Sequence, residues 1–328
     1  MIFLSSICLL LALSSFSPVL AGFKYVDKTC DKYGGHATFD AAAAEALLAV
    51  NAAISAINPP RPGRVSRSLI AAVGLPRTDT DRDEVLKSLT GAYQKIAGAL
   101  GANNNGIYVY CGDSVVWSDR KPDPNQPGCD QKFDPTLPNN GFTCGVPVES
   151  SENMGLKGYF YAPNGDKPWY QYSGIPNFSN LQPGQSFCGG VSWASTMAAR
   201  DDQSGIMVYC EEALNPKPPY MDSNKNSEYW TTPDDIGANL EAHRGSLSLN
   251  LIHEFGHALG VADDQVVNGH KAYGYSGMVD LAHANTGKSS ADNLAWKNCD
   301  TQALFATAML MDKCEWYANT CQDPSKQS

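Results

Sequence analysis

The sequence predicts an α+β fold: N-terminal helices, a small mixed sheet, a later helix carrying the candidate site, and disulfide-pinned loops. Three observations predict it. Apolar residues recur at helical spacing towards both ends of the chain, β-favouring runs bounded by turn residues fill the middle, and cysteines sit inside the long Pro/Asn/Gly-rich stretches between them.

Residues 1–21 read as a secretory leader, with an apolar run from Ile7 to Leu13 and Val19-Leu20-Ala21 ahead of a cut before Gly22. The run is far short of the ~20 residues that span a bilayer, and no later stretch is expected to reach that length. The expectation is a soluble, secreted, extracellular protein, monomeric, whose mature chain 22–328 is one domain with its motif-bearing core at about 205–312.

After Thr38, the residues Leu47, Val50, Ile54 and Ile57 form an amphipathic helix stopped by Pro59-Pro60. A second helix follows, with Thr80 as cap, Asp81, Asp83 and Glu84 at its N-terminus, and Leu86, Leu89, Tyr93, Ile96 and Leu100 as its buried stripe. Between them, the segment from Pro62 to Arg67 reads as a basic loop, a solvated linker or a processing point that would remove 22–67. Strands are expected at 107–110, 158–161 and 205–209, and loops at 112–150 and 163–190. From residue 246 the helical pattern returns, with Leu251, Ile252, Phe255, Ala258 and Leu259 on one side.

A net charge of −10, with no Lys/Arg cluster, argues against nucleic acid or an anionic membrane as partner. Removal of the leader takes Cys8 with it and leaves nine of the ten cysteines. Nine is odd, so at least one is unpaired or paired between chains. No C-x-x-C pair occurs, which argues against a cysteine metal site and leaves disulfides as the expected use. Asn177-Phe178-Ser179 is a glycan acceptor pattern.

The last helix contains His253-Glu254-Phe255-Gly256-His257, an H-E-x-x-H pattern. Histidines four apart lie about 40° apart around a helix, so both imidazoles reach one cation while Glu254 stands beside its open position. The expected cofactor is one Zn2+ per chain, bound by His253 and His257, with Glu254 passing a proton from a metal-activated water to the leaving amine. Zinc needs a third ligand, and Asp263, Asp264 and His270 all follow closely enough to turn back to it.

The C-terminal half resembles the aspzincin (deuterolysin) metallopeptidases, which include the peptidyl-lysine metalloendopeptidases. The likeness rests on the strand Ser204 to Cys210, the zinc helix Leu251 to His257, Ala272-Tyr273-Gly274 as the close of a G-T-x-D-x-x-Y-G block, and Ser290 to Trp296 as an A-D-N segment on the following helix. The resemblance implies a zincin-like fold and a secreted zinc metalloendopeptidase acting on a protein or peptide. It also implies an Asp as third ligand and Tyr273 as the phenol that hydrogen-bonds an oxyanion. Matching Val261-Ala262-Asp263-Asp264 to G-T-x-D favours Asp264. The Thr is missing, the gap before Tyr273 is longer, and counting back from Tyr273-Gly274 puts His270 where Asp is expected. Lysine-selective members place an acidic residue three positions after the Asp of A-D-N; here Asp292 is present and the later position is Ala295. Two rivals stand beside this reading: a metzincin-type protease, with Met278 beneath the metal, and a secreted zinc-binding or host-interaction protein without catalysis.

Overall fold

Alanine is the strongest helix former and lets neighbouring helix axes approach closely, and the long Ala-rich helix α1 (Gly35–Ile57) is the element around which the others gather. The computed structural model describes residues 23, 25–26, 28–58, 63–75, 78–102, 106–112, 120–121, 146–147, 159–161, 169–171, 188, 194–198, 205–214, 239–311, 314–316 and 319–322. The leader at 1–21, the pattern at Asn177, and Cys129 and Cys144 lie outside the described residues.

By length and composition α1 is apolar enough to cross a bilayer, which corrects the expectation that no stretch after the leader is. Its Phe39, Ala43, Ala46, Ala49, Val50 and Ala53 have no exposed surface and pack in the main core. The helix begins ahead of the Thr38 where its pattern was read, and ends before Pro59-Pro60 as expected.

The basic segment expected to be a loop instead opens a second helix, α2 (Gly63–Val73). Leu69, Ala72 and Val73 are buried at helical spacing just beyond the basic residues, and Arg67 pairs with the fully buried Glu315 near the C-terminus. Helix α3 (Asp79–Leu100) buries Leu86, Leu89, Tyr93, Ile96 and Leu100, but its cap is Thr78, whose side chain accepts from the Asp81 N–H, not Thr80.

Helix α3 leads into a four-stranded sheet ordered β1 (Tyr25–Val26), β2 (Ile107–Cys111), β8 (Gly205–Tyr209), β7 (Ala194–Ala198). β1, β2 and β8 run parallel to one another and β7 runs antiparallel to β8. Two further antiparallel pairs, β3 (Arg120–Lys121) with β4 (Val146–Pro147) and β5 (Tyr159–Tyr161) with β6 (Trp169–Gln171), are separate two-stranded sheets. A short helix α4 (Glu211–Leu214) follows β8. The C-terminal part contributes α5 (Leu247–Ala258), the hairpin β9 (Val266–Val267) and β10 (His270–Lys271), α6 (Gly274–Asn285) and α7 (Cys299–Leu310). Among the described residues helices predominate and the sheets are small, a composition compatible with α+β.

Disulfides join Cys30 to Cys111, Cys188 to Cys210 and Cys314 to Cys321, as suits an oxidising compartment. The A-D-N segment expected on a helix is instead a turn ending in the 3-10 element Ala295–Lys297. Polar side chains there capture backbone groups: Ser289 Oγ accepts from the Asp292 N–H, and Asn293 donates to the Val73 carbonyl and accepts from the Ala295 N–H.

Where α1 meets α5, Ser248 donates to the buried carboxyl of Glu45, and burial pushes the Glu45 pKa up to about 7. A carboxyl whose pKa rises on folding contributes its full stability below its unfolded pKa and loses it as pH climbs through the folded value. Stability should therefore fall between about pH 4.5 and pH 7 through this group. Glu45→Gln is expected to raise the unfolding temperature at pH 8 while changing it little at pH 4; equal shifts at both pH values in thermal melts would contradict this.

Candidate metal centre

Ser246 caps α5 through its side chain, accepting from Leu249 N–H at 3.2 Å, and just past the helix end Gly260, with φ of 60°, supplies the left-handed C-terminal turn. That short, well-capped helix carries His253, Glu254 and His257, with the Glu254 side chain buried. Phe255 and Ile252 anchor its opposite side in the core.

Beyond Gly260 the chain is tied to the segment preceding α7: Asp263 N–H donates to the Lys297 carbonyl at 2.8 Å, and Cys299 N–H donates to the Asp263 carbonyl at 3.2 Å. This tie turns Asp264 inwards and leaves Asp263 outwards. The Asp264 side chain is 9% exposed and that of Asp263 78%. Asp264 Oδ1 stands 3.4 Å from Nε2 of His253 and 3.4 Å from Nε2 of His257, and those two nitrogens are 3.3 Å apart. Three donor atoms thus mark a nearly equilateral triangle, and Asp264 Oδ1, though buried, has no hydrogen-bond partner. A buried carboxylate oxygen left unpaired is costly unless something outside the protein fills the triangle.

The donor set fits a metal ion. His253, His257, Asp264 and Cys299 each offer a ligand atom within 4.8 Å of one another. Cys299 is the free cysteine among the described residues and is fully buried. Its proximity corrects the expectation that no cysteine stands at a metal site: the absence of C-x-x-C excludes a pair, not a single thiol brought in by a distant helix. Its Sγ packs against α5 where Gly256 leaves space, since a Cβ there would stand 2.9 Å from it. Burial, with the carboxylates Asp264 and Glu254 nearby, pushes the thiol's pKa well up.

Asp263 faces the other side of the second imidazole, with Oδ1 3.4 Å from Nδ1 of His257. His270 is exposed on β10 and lies outside the metal-ligand group. The longer gap before Tyr273 is the β9/β10 hairpin: Asn268 and Gly269 take φ of 52° and 81°, the signature of a two-residue type I′ turn. The hairpin loops out and returns, so Tyr273 Oη donates to Asp264 Oδ2 at 2.5 Å and its ring lies 6.3 Å from that of His253. Burial, then the charge of Asp264, pushes the phenol's pKa up, so it remains a donor.

A residue that the sequence reading missed completes the surroundings. Asp300, second in α7, accepts from Nδ1 of His253 at 2.6 Å. Burial disfavours a charged His253 ring, but Asp264 and Asp300 outweigh it and raise its pKa well above the ordinary value. Burial likewise opposes the charge of Asp264, yet the two imidazoles facing it hold its carboxyl far below the usual range. Lys271, whose Nζ is 3.7 Å from Asp264 Oδ2, adds a cation at the outer edge. Asp292 is exposed and bonded to Ser289.

Comparison of the chain with family models, with curated proteins and with solved structures finds no match. The burial of Cys299 makes a direct expectation. In the native protein its thiol should stay unmodified by iodoacetamide over hours and react fully after denaturation, read as the mass of the Cys299 peptide; rapid native labelling would contradict the packing described.

Proposed function

We propose that the protein is a secreted zinc metalloendopeptidase of aspzincin type, with His253, His257 and Asp264 as metal ligands and Glu254 as general base and acid. The observation that carries this reading is the triangle of donor atoms with 3.3–3.4 Å edges. A tetrahedral ion with bonds of about 2.0–2.1 Å spaces its nitrogen and oxygen ligands about 3.3–3.4 Å apart, which suits Zn2+. Calcium would demand more oxygens at longer bonds, and magnesium an octahedral oxygen shell.

Zinc bound there would supply a Lewis acid for the scissile carbonyl and bring the pKa of water to about 7. Glu254, next to His253 in the chain and held in a buried position on α5, is suited to accept a proton and return it to the leaving amine. Tyr273 is suited to turn its phenol from Asp264 to an oxyanion, because its hydroxyl already lies at the ligand set and keeps its proton. Met278 packs within the main core on α6, whereas Tyr273 lies against the ligands, and this supports the aspzincin-type arrangement over a metzincin one. Lysine selectivity receives no support from Asp292, which bonds to Ser289 on the surface.

Glu254→Gln should bind zinc as the wild type does and lose about 10²–10⁴-fold in the rate of casein cleavage, while Asp264→Ala should lose zinc and Asp263→Ala retain it. Wild-type cleavage by the Glu254 variant would refute the mechanism, and zinc retention by the Asp264 variant would refute the ligand set.

A second reading rests on Cys299. If its thiolate completes a four-ligand set, the site is closed and the protein holds zinc without catalysis. The His253, His257 and Asp264 triangle by itself leaves a fourth position open. Cobalt-loaded protein is accordingly expected to lack a near-ultraviolet sulfur-to-cobalt charge-transfer band; such a band, removed by Cys299→Ser, would establish the closed site.

A further inference from the structure

The Asp300 carboxylate has two oxygens with separate duties. Oδ1 accepts from Nδ1 of His253 at 2.6 Å, and Oδ2 accepts from the Gly274 N–H at 2.5 Å. Gly274 is the first residue of α6, and Tyr273, which caps that helix, precedes it. The Tyr273 hydroxyl in turn reaches Asp264. A closed circuit therefore runs from one candidate ligand to another: His253, Asp300, the N-terminus of α6, Tyr273, Asp264.

The α6 N-terminus has little freedom to sit elsewhere. Tyr275 N–H donates to Glu241 Oε2 at 2.6 Å, so two carboxylates receive the first two amides of the helix. Arg244 spans both, with its Nε 3.3 Å from Asp300 and a terminal nitrogen 3.3 Å from Glu241. At Gly274, with φ of 70°, a Cβ would meet the Glu241 carboxylate at 2.6 Å, so the approach requires glycine.

We infer that Asp300 is a positioning residue that couples metal binding by His253 to the docking of the α6 N-terminus, and hence to the placement of Tyr273; the inference rests on the zinc reading above. By accepting from Nδ1, Asp300 puts the hydrogen of the neutral imidazole on that nitrogen and leaves the Nε2 lone pair to the metal. The same carboxylate is locked in rotamer by the Gly274 amide. An ion that fixes His253 and Asp264 thus tightens both ends of the circuit, and an ordered α6 N-terminus presents His253 in ligating form.

Asparagine at this position cannot do both jobs. With its carbonyl towards His253, its amide confronts the Gly274 N–H donor to donor. With its carbonyl towards Gly274, its amide donates to Nδ1 and drives the hydrogen to Nε2, where the metal binds.

The test measures amide exchange of Gly274 and Tyr275 in wild-type protein, zinc-loaded and chelator-stripped, and zinc affinity by competition with a chromophoric chelator. Zinc is expected to slow Gly274 exchange by about tenfold or more in the wild type. Asp300→Asn is expected to bind zinc roughly 10–100-fold more weakly and to show fast Gly274 exchange with or without zinc. The wild-type comparison needs no variant and stands even if Asp300→Asn fails to fold. Zinc binding with Gly274 exchange unchanged, or an Asp300→Asn protein with wild-type affinity, overturns the coupling. Absence of zinc binding in the wild type overturns the zinc reading and the coupling together, whereas intact coupling without peptide cleavage overturns the peptidase reading alone.

Discussion

Asn298 has no exposed surface, and its amide joins segments that would otherwise have no reason to meet. Its oxygen accepts from the Gln265 N–H at 3.1 Å, and its nitrogen donates to the Ala272 carbonyl at 3.0 Å and to Thr301 Oγ1 at 3.1 Å. The two ends of the β9/β10 hairpin and the first turn of α7 are thereby held together. The backbone bridge between Asp263 and Asn298 continues the tie two residues back along the chain. Replacing the amide with an apolar group would strand buried donors and acceptors at about 1–3 kcal/mol each. The inward turn of Asp264, the return of Tyr273 and the delivery of Asp300 and Cys299 to His253 all depend on this seam.

The helix of the site was legible because its signals are local. H-E-x-x-H sets two side chains on one face whatever else the chain does, and Gly260 ends the helix by a backbone preference that needs no partner. The same holds for the stripe of α3 and for β2 and β8, where short-range pattern and burial agree. Between Asp263 and Asp264 the sequence favoured Asp264 without deciding it, since the two are adjacent and the bridge to residues 297–299 sets which faces the histidines. Yet Asn268-Gly269 was a local hairpin signal that accounts for the long gap before Tyr273 and demotes His270 to a strand facing solvent. Asp300 and Cys299 were hidden for a different reason: their partners lie more than 40 positions away, at His253 and Gly256. The odd cysteine count pointed to an unpaired thiol without giving its place, and Cys299 is that thiol among the described residues.

Charge decides what this seam can tolerate. Glu254, Asp264 and Asp300 are buried within one small region, with Glu241 and Asp263 at its margin. Against them stand Arg244, Lys271 and whatever proton the imidazoles carry. Arg244 is committed to Asp300 and Glu241, and Lys271 donates to the Asp264 carbonyl at 3.2 Å and stands 3.7 Å from the outer oxygen of its carboxylate. The inner oxygen is left with two histidines, and satisfying it by protonating them gives up the lone pairs that make them ligands. A divalent cation would resolve that conflict by taking the carboxylate charge and both lone pairs at once, and its binding energy would then become stability of the fold around it. The surroundings suit that balance: Asp300 holds the ring of His253 from its Nδ1 side, and Arg244 offsets the charge of Asp300 and Glu241.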